Sequence, residues 1–353
     1  MLTKKKSLPI SELEPGMISA MDINFQGKIL LSKDVKINEM IISKLRQNYI
    51  VDKIDIYIQE DSDEIITNRI KTQQELEATF NEFSSNLEEV FDNVHSIGTS
   101  GMEDIRNFTK RIHEEFKLTG NVIKSVVLYG SREDSIYRHS INVAAISFIL
   151  GKWLGLNEVE INLLTYSAVL HDFGKIKIDD SIVKKNFNEL TSGEKEIYKS
   201  HVVAGYNSIK KIPYLDPTVA YGVLLHHERM DGSGYPLGIK DNKIPRFAKI
   251  IAIADLFDQV SSNRYHKHVK GPFDALKIIK DESITKLDTM YCNMFLNHIA
   301  NYYMGEIVML SNNQECKVIQ VNVNDLSKPL LLDDKGFLDL TKEKNLYVKN
   351  LMV

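Results

Sequence analysis

Five of the ten histidines, His139, His171, His201, His226 and His227, follow one another at intervals of 32, 30, 25 and 1. His139 begins a stretch in which Val143, Ile146 and Leu150 share its helical face, so its ring looks toward the core. Taken alone, such a residue reads as a hydrogen-bonded core histidine, but the others are placed likewise. His171-Asp172 closes the apolar run Leu163 to Leu170 and leads into Phe173-Gly174-Lys175, although a bare His-Asp pair is common. Asp255 lies within Ile250 to Phe257, where an ionised carboxylate is costly unless a cation, a salt bridge or a cap meets it. His226 and His227 are consecutive and point about 100° apart on a helix, which suits ligands facing two neighbouring metal ions. Imidazole with carboxylate ligation suits iron, manganese, zinc or nickel, and argues against magnesium or calcium.

The most specific local pattern runs from His226-His227-Glu228 through Asp231-Gly232 to Gly234-Tyr235-Pro236. It has eight specified positions, each with about a one in twenty chance of matching, so coincidence is negligible. Together with His171-Asp172-x-Gly174-Lys175, this run resembles the HD-GYP subgroup of the HD phosphohydrolase superfamily. The resemblance extends from about His139 to Lys267, the central third of the chain. It implies an all-helical, metal-dependent phosphodiesterase domain acting on cyclic di-GMP or a related cyclic dinucleotide. Carried over position by position, it implies metal ligands at His139, His171, Asp172, His201, His226, His227 and Asp255, with Asp172 bridging two ions, iron or manganese foremost. Some members hold a third ion through a glutamate four residues before the first histidine. Here that position is Ser135, and Asp134 is one residue off the His139 face, so two ions are expected.

The resemblance also places phosphate-binding cations at Lys175, Arg264 and Lys267, with Arg suited to a bidentate grip. Gly232 and Gly234 let a loop backbone come close to a ligand, and Pro236 holds Tyr235 extended toward a base, although a plain tight turn would also account for this loop. The implied reaction is in-line attack on phosphorus by a hydroxide held between two metals, stopping at linear pGpG or going on to GMP. Lys175 would neutralise phosphoryl charge or assist the leaving oxygen. Metal-binding imidazoles must be neutral, so activity is expected to fall as pH drops toward and below about 6.5. Two rivals stand beside this reading: another HD-class nucleotide phosphohydrolase, and a non-catalytic sensor of cyclic dinucleotides. A purely structural role for the histidines is disfavoured by the buried Asp255 and the adjacent His226 and His227.

These residues need a helical frame, and the patterning predicts one from about 121 to 304. Its helices are expected at Arg138 to Trp153, Glu158 to Leu170, Thr191 (a capping box with Glu194) to Lys211, Pro217 to His227, Phe247 to Ser261, and from Pro272 onward. Residues 1 to 62 read as a small β-rich or α/β domain, with runs such as Lys28 to Leu31 and Ile54 to Ile58, turns at Pro15-Gly16 and Gln26-Gly27, and a helix near Asn38 to Gln47. Residues 63 to 120 read as a helical linker. In it Leu76, Phe80, Phe83, Leu87, Val90 and Val94 form a short heptad seam, which suits a two-subunit coiled coil and packing on the chain's own next helices equally. Ser100 with Glu103 matches a capping box for a second helix, which Gly120 is expected to end. Residues 305 to 353 suggest a small β appendage, with strands at Glu306 to Leu310 and Cys316 to Val321. The fold class is therefore mainly α.

Across 353 residues, 44 Lys plus Arg stand against 48 Asp plus Glu, a formal charge of −4 that implies no whole-chain partner such as DNA or a membrane. Cys292 and Cys316 are too few for a disulfide framework. The basic start Met1 to Lys6 runs into Ser7-Leu8-Pro9 without the apolar stretch of an export signal, and no apolar run approaches a membrane span, so a cytoplasmic protein is expected.

Overall fold

A computed structural model of the chain describes residues 5–25, 28–48, 53–57, 73–97, 101–116, 119–130, 136–262, 269–322 and 325–352. The Gln26-Gly27 turn, Ser100, Asp134, Ser135, Arg264 and Lys267 lie outside these residues.

At the start, β1 (Lys5–Pro9) pairs antiparallel with β4 (Lys53–Tyr57), and β2 (Ile23–Phe25) pairs with β3 (Lys28–Leu31). Between β3 and β4, α1 (Glu39–Asn48) is opened by Asn38, whose side chain accepts from the Ile41 amide at 2.9 Å. Alternation along β4 turns Ile54 and Ile56 inward, where they join Leu8, Ile23, Leu31, Ile41 and Leu45 in a core of their own.

The helical frame follows as α2 (Gln73–Ile97), α3 (Gly101–Glu115), α4 (Thr119–Tyr129), α5 (Ile136–Trp153), α6 (Glu158–Leu170) and α7 (Asp180–Val183). It continues as α8 (Ser192–Lys199), α9 (His201–Ile209), α10 (Pro217–Leu225), α11 (Arg246–Ser261), α12 (Pro272–Glu282) and α13 (Thr289–Tyr303). Helix α5 is buried from Arg138 to Gly151, and α11 along nearly its whole length, because apolar residues cover most faces of both and the polar ones among them meet partners inside. They cross at the centre, with α6 and α10 alongside.

Two details differ from the sequence reading, and the heptad seam takes one of the two courses left open. The single helix expected from Thr191 to Lys211 is broken at Ser200. The Thr191 and Glu194 capping box is present, but the Ser200 amide donates to the Glu196 and Ile197 carbonyls at 3.1 Å each while the Tyr198 carbonyl is taken by Nδ1 of His201 at 2.7 Å, which closes α8 early and lets α9 set off anew. Gly120 does not end α3: that helix stops at Glu115, and Gly120 sits in the first turn of α4. The heptad seam is consumed within the chain. Leu76, Phe80, Phe83, Leu87 and Val90 are buried against α3, α4 and α5, with Phe80 stacked on Phe116 at 4.6 Å and Phe83 edge-on to Phe108 at 5.4 Å. Among the described residues no exposed apolar seam is left on this face; the Val94 side chain lies outside them.

After Gly305 the chain forms β5 (Ile307–Leu310), β6 (Glu315–Gln320), β7 (Leu330–Asp333), β8 (Gly336–Asp339) and β9 (Val348–Leu351). They make one antiparallel sheet in the order β8-β7-β6-β5-β9, of which the hydropathy pattern had signalled only β5 and β6. Val308, Leu310, Val318 and Leu331 of this sheet join the same continuous core as the helices. Among the described residues no helix is long and apolar enough to cross a membrane.

Candidate metal centre

The candidate ligands come from helix ends, where backbone carbonyls are free to orient a ring. His171 caps the C-terminus of α6, His226 caps that of α10, and His201 opens α9 just past the end of α8. Each turns Nδ1 back onto the carbonyl three residues earlier: His171 to Ala168 at 2.8 Å, His201 to Tyr198 at 2.7 Å, His226 to Val223 at 2.8 Å. A proton on Nδ1 satisfies that carbonyl and leaves the Nε2 lone pair aimed inward. His139, near the start of α5, is held instead by Asp258 of α11, with Nδ1 2.7 Å from Oδ2.

The seven sequence-predicted ligands converge in two groups. Asp172, His201, His226 and His227 bring one atom each within 4.8 Å of one another, and so do His139, His171 and Asp255. Asp172 faces both. Its Oδ1 lies 3.3 Å from His201 Nε2 and 4.0 Å from His226 Nε2, while its Oδ2 lies 3.5 Å from both His139 Nε2 and His171 Nε2. In the second group, His139 Nε2 is 3.1 Å from Asp255 Oδ1 and 3.3 Å from His171 Nε2.

Buried polar atoms normally have partners. Here Asp172 Oδ1, Asp255 Oδ2 and the Nε2 atoms of His201, His226 and His227 are buried without a hydrogen-bond partner, and all of them belong to the ligand groups. Five imidazoles and two carboxylates with inward lone pairs fit divalent transition metals.

The electrostatics agree with that use. Burial lowers the His171 imidazole, holds His226 and His227 well below their usual range and pushes His201 down to about 4, so each of the four keeps its neutral form to lower pH than an unperturbed histidine. His139 goes the other way: burial lowers it, but hydrogen bonds to Asp255 and Asp258 outweigh burial and raise it to about 9. Burial works against the Asp172 carboxylate, yet Lys175 and the surrounding imidazoles keep it well below the ordinary carboxylate range, and His139 does the same for Asp255.

Of the predicted substrate residues, Lys175, Gly234, Tyr235 and Pro236 are among the described residues and lie beside this centre. Lys175 donates to Asp172 Oδ2 at 2.5 Å and sits 5.1 Å from the centroid of Tyr198. Gly174 lets this turn pack directly under α9, since a β-carbon there would fall on the His201 carbonyl. The Tyr235 ring stacks on His227 at 4.7 Å, with Lys199 Nζ 5.6 Å from its centroid. Gly232 has φ +81°, and a β-carbon on Gly234 would overlap the backbone of His227 to Arg229. The close approach that Gly234 permits is therefore to the loop's own stem. The Tyr235-Pro236 bond is cis. Beyond it, buried Glu228 accepts from the amides of Leu237 at 2.7 Å, Gly238 at 3.1 Å and Ile239 at 3.0 Å, and so anchors the far side of the loop.

Three contributors went unassigned in the sequence: Asp258, Glu228 and Tyr198. Asp258 carried a readable signal, since it is a second acid in the same apolar helix, three residues after Asp255, and faces the same burial cost. Glu228 and Tyr198 act through tertiary contacts that spacing alone does not reveal.

Residues 124–290 match the model of the HD domain. The chain is 37% identical over 155 residues to a cyclic di-GMP phosphodiesterase of Thermotoga maritima, covering 43% of this chain and 41% of that one. It is 26% identical over 209 residues to a cyclic di-GMP phosphodiesterase of Pseudomonas aeruginosa, covering 59% and 50%. A Vibrio cholerae protein named as a 3'3'-cGAMP-specific phosphodiesterase is 28% identical over 178 residues, covering 50% and 38%. The chain thus spans half or less of the length of these curated relatives. Among solved structures, Bd1817, an HD-GYP-type protein from Bdellovibrio bacteriovorus, aligns with a TM-score of 0.56 at 18% identity over 84% of this chain and 99% of that one, a likeness of fold. The segment 124–290 is an HD domain. Within it the motif from His226 to Pro236 is complete.

Proposed function

We propose that this protein is a metal-dependent phosphodiesterase that hydrolyses cyclic di-GMP to linear pGpG, and onward to GMP. The observation that carries the reading is the division of Asp172, one oxygen toward His201 and His226 and the other toward His139 and His171. A carboxylate so placed would serve two divalent ions at once, iron or manganese foremost. His201, His226 and His227 would hold one ion, His139, His171 and Asp255 the other, with Asp172 shared. When bound, such a pair lowers the pKa of water and offsets charge on the phosphodiester.

The chain's own groups then position and compensate. Lys175 keeps Asp172 ionised and offers its charge to a phosphate oxygen. Tyr235, fixed on His227 by stacking and by its amide donating to the His227 carbonyl at 3.2 Å, presents its ring to a base, with Gly234 and Pro236 setting its direction. Arg264 and Lys267 would grip the second phosphate. Hydrolysis breaks one P–O ester bond, with water supplying oxygen to phosphorus and a proton to the departing 3' oxygen. The relatives named as cyclic di-GMP phosphodiesterases support this substrate; the cGAMP relative makes a mixed cyclic dinucleotide the nearest competitor.

Protein loaded anaerobically with Fe(II) or Mn(II) should convert cyclic di-GMP to the linear dinucleotide, followed by chromatography. Tight binding without turnover under either metal would identify a sensor instead. Tyr235→Ala should raise KM while leaving metal content unchanged, and loss of metal in that variant would mean the loop has a different task.

A further inference from the structure

We infer that Arg138 is a positioning residue for the metal position served by His139, and that it ties that position to the seat of α2; the inference rests on the two-metal reading above. The route is continuous, and it is buried from His139 as far as Arg138. Asp258 holds His139 Nδ1 with Oδ2 at 2.7 Å, and its Oδ1 accepts from Asn142 Nδ2 at 2.6 Å. Asn142 Oδ1 accepts in turn from Arg138 Nε at 3.1 Å. Arg138 then faces away from the centre. Its Nη1 and Nη2 donate to the two oxygens of Glu77 at 3.0 and 2.8 Å, Nη1 also donates to Asn81 Oδ1 at 2.9 Å, and the guanidinium lies 4.6 Å from the Phe80 centroid. Glu77, Phe80 and Asn81 all belong to α2.

Helix periodicity explains how one segment reaches both ways. Arg138 and Asn142 are four apart and share a face of α5, while His139 is turned about 100° from Arg138. The chain of bonds has a fixed sense: the Asn142 amide can donate to Asp258 only with its oxygen toward Arg138, and that oxygen is met because the guanidinium fork is already pinned on α2. Lysine has three donors at one point and cannot serve Glu77 and Asn142 together. A lost partner leaves Asn142 free to turn, and with it the carboxylate that sets His139.

A simpler role would be an ion pair that only fastens α2 to α5. The two are separated by titrating Mn(II) into metal-free protein under equilibrium dialysis, with the thermal midpoint measured alongside. Arg138→Lys keeps a charge for Glu77, so its midpoint should stay near that of the parent. One of its two metal equivalents should bind about 10- to 100-fold more weakly, the range for losing an outer-shell partner, with the other unchanged. Glu77→Gln, farther from the centre, should weaken the same equivalent, and it carries the test if Arg138→Lys does not fold. Parent-like uptake of both equivalents by Arg138→Lys and Glu77→Gln, or equal weakening of both, would overturn the inference. Fewer than two equivalents in the parent protein would instead defeat the two-metal reading itself.

Discussion

Asp172 concentrates the chemistry of the centre into one side chain. It is buried beside four imidazoles, and its negative charge is sustained by Lys175 and by those rings. Replacing it with alanine removes the group that both halves share, while His139 keeps Asp258 and Asp255 as partners. Asp172→Ala should retain its far-ultraviolet dichroism, lose most of its bound metal and fall at least about 10²-fold in turnover, the scale of losing one pre-placed electrostatic group. Full activity would remove Asp172 from the bridging role. At this scale the sequence was informative. The spacing of five histidines, an acid in an apolar run and a run of eight matched positions pointed to seven side chains that the fold brings together. What escaped was the layer behind them, Asp258 and Glu228, because their partners are Nδ1 of His139 and three loop amides that only tertiary structure brings near.

The elements position these side chains chiefly by where they stop. His171, His201 and His226 take their orientation from carbonyls at helix ends, so a shift of any of these ends moves a candidate ligand. The break between α8 and α9 shows why the pattern of apolar residues was insufficient here. Ser200 and His201 are compatible with a continuous helix, and only the capture of the Tyr198 carbonyl by Nδ1 of His201 ends it. Gly174 sets how closely the turn after α6 lies under α9, with its Cα hydrogens facing the His201 carbonyl and the Gly205 amide. Gly174→Ala should therefore push α9 outward, costing about 1–3 kcal/mol as an overpacked contact. It should also weaken the metal equivalent that His201 serves more than the one His139 serves. Differential scanning calorimetry with metal titration reads both, and an unshifted midpoint would show that the turn gives way freely.

For the whole molecule, the linker helix and the C-terminal sheet are parts of the core that frames the centre. The seam on α2 illustrates the limit of reading a heptad: its period shows which face is apolar, but not whether the covering helix comes from the same chain. Here α3, α4 and α5 cover it. Phe83→Ala should accordingly cost about 3–5 kcal/mol by urea denaturation, with no change in mass by light scattering. A change in oligomeric state without loss of stability would return the seam to a subunit interface. The layers also set a pH dependence away from the centre. His113 of α3 lies on Phe148 of α5 at 4.5 Å and beside Thr165 of α6 at 2.9 Å, and burial, then Lys152, pushes it down to about 4. Because the unfolded chain takes this proton first, near 6.5, its contribution is complete above that pH and is lost as pH falls toward 4. His113→Gln should show a shallower loss of urea midpoint between pH 6.5 and 4 than the parent, and identical slopes would discard that assignment.

The central claim is that one buried cluster holds two ions through a shared carboxylate, and counting metal tests it most directly. Metal-free protein titrated with Mn(II) and analysed by elemental mass spectrometry should saturate at two equivalents per chain in the parent and near none in Asp172→Ala. Saturation at two in both proteins, or no uptake by the parent, would contradict it.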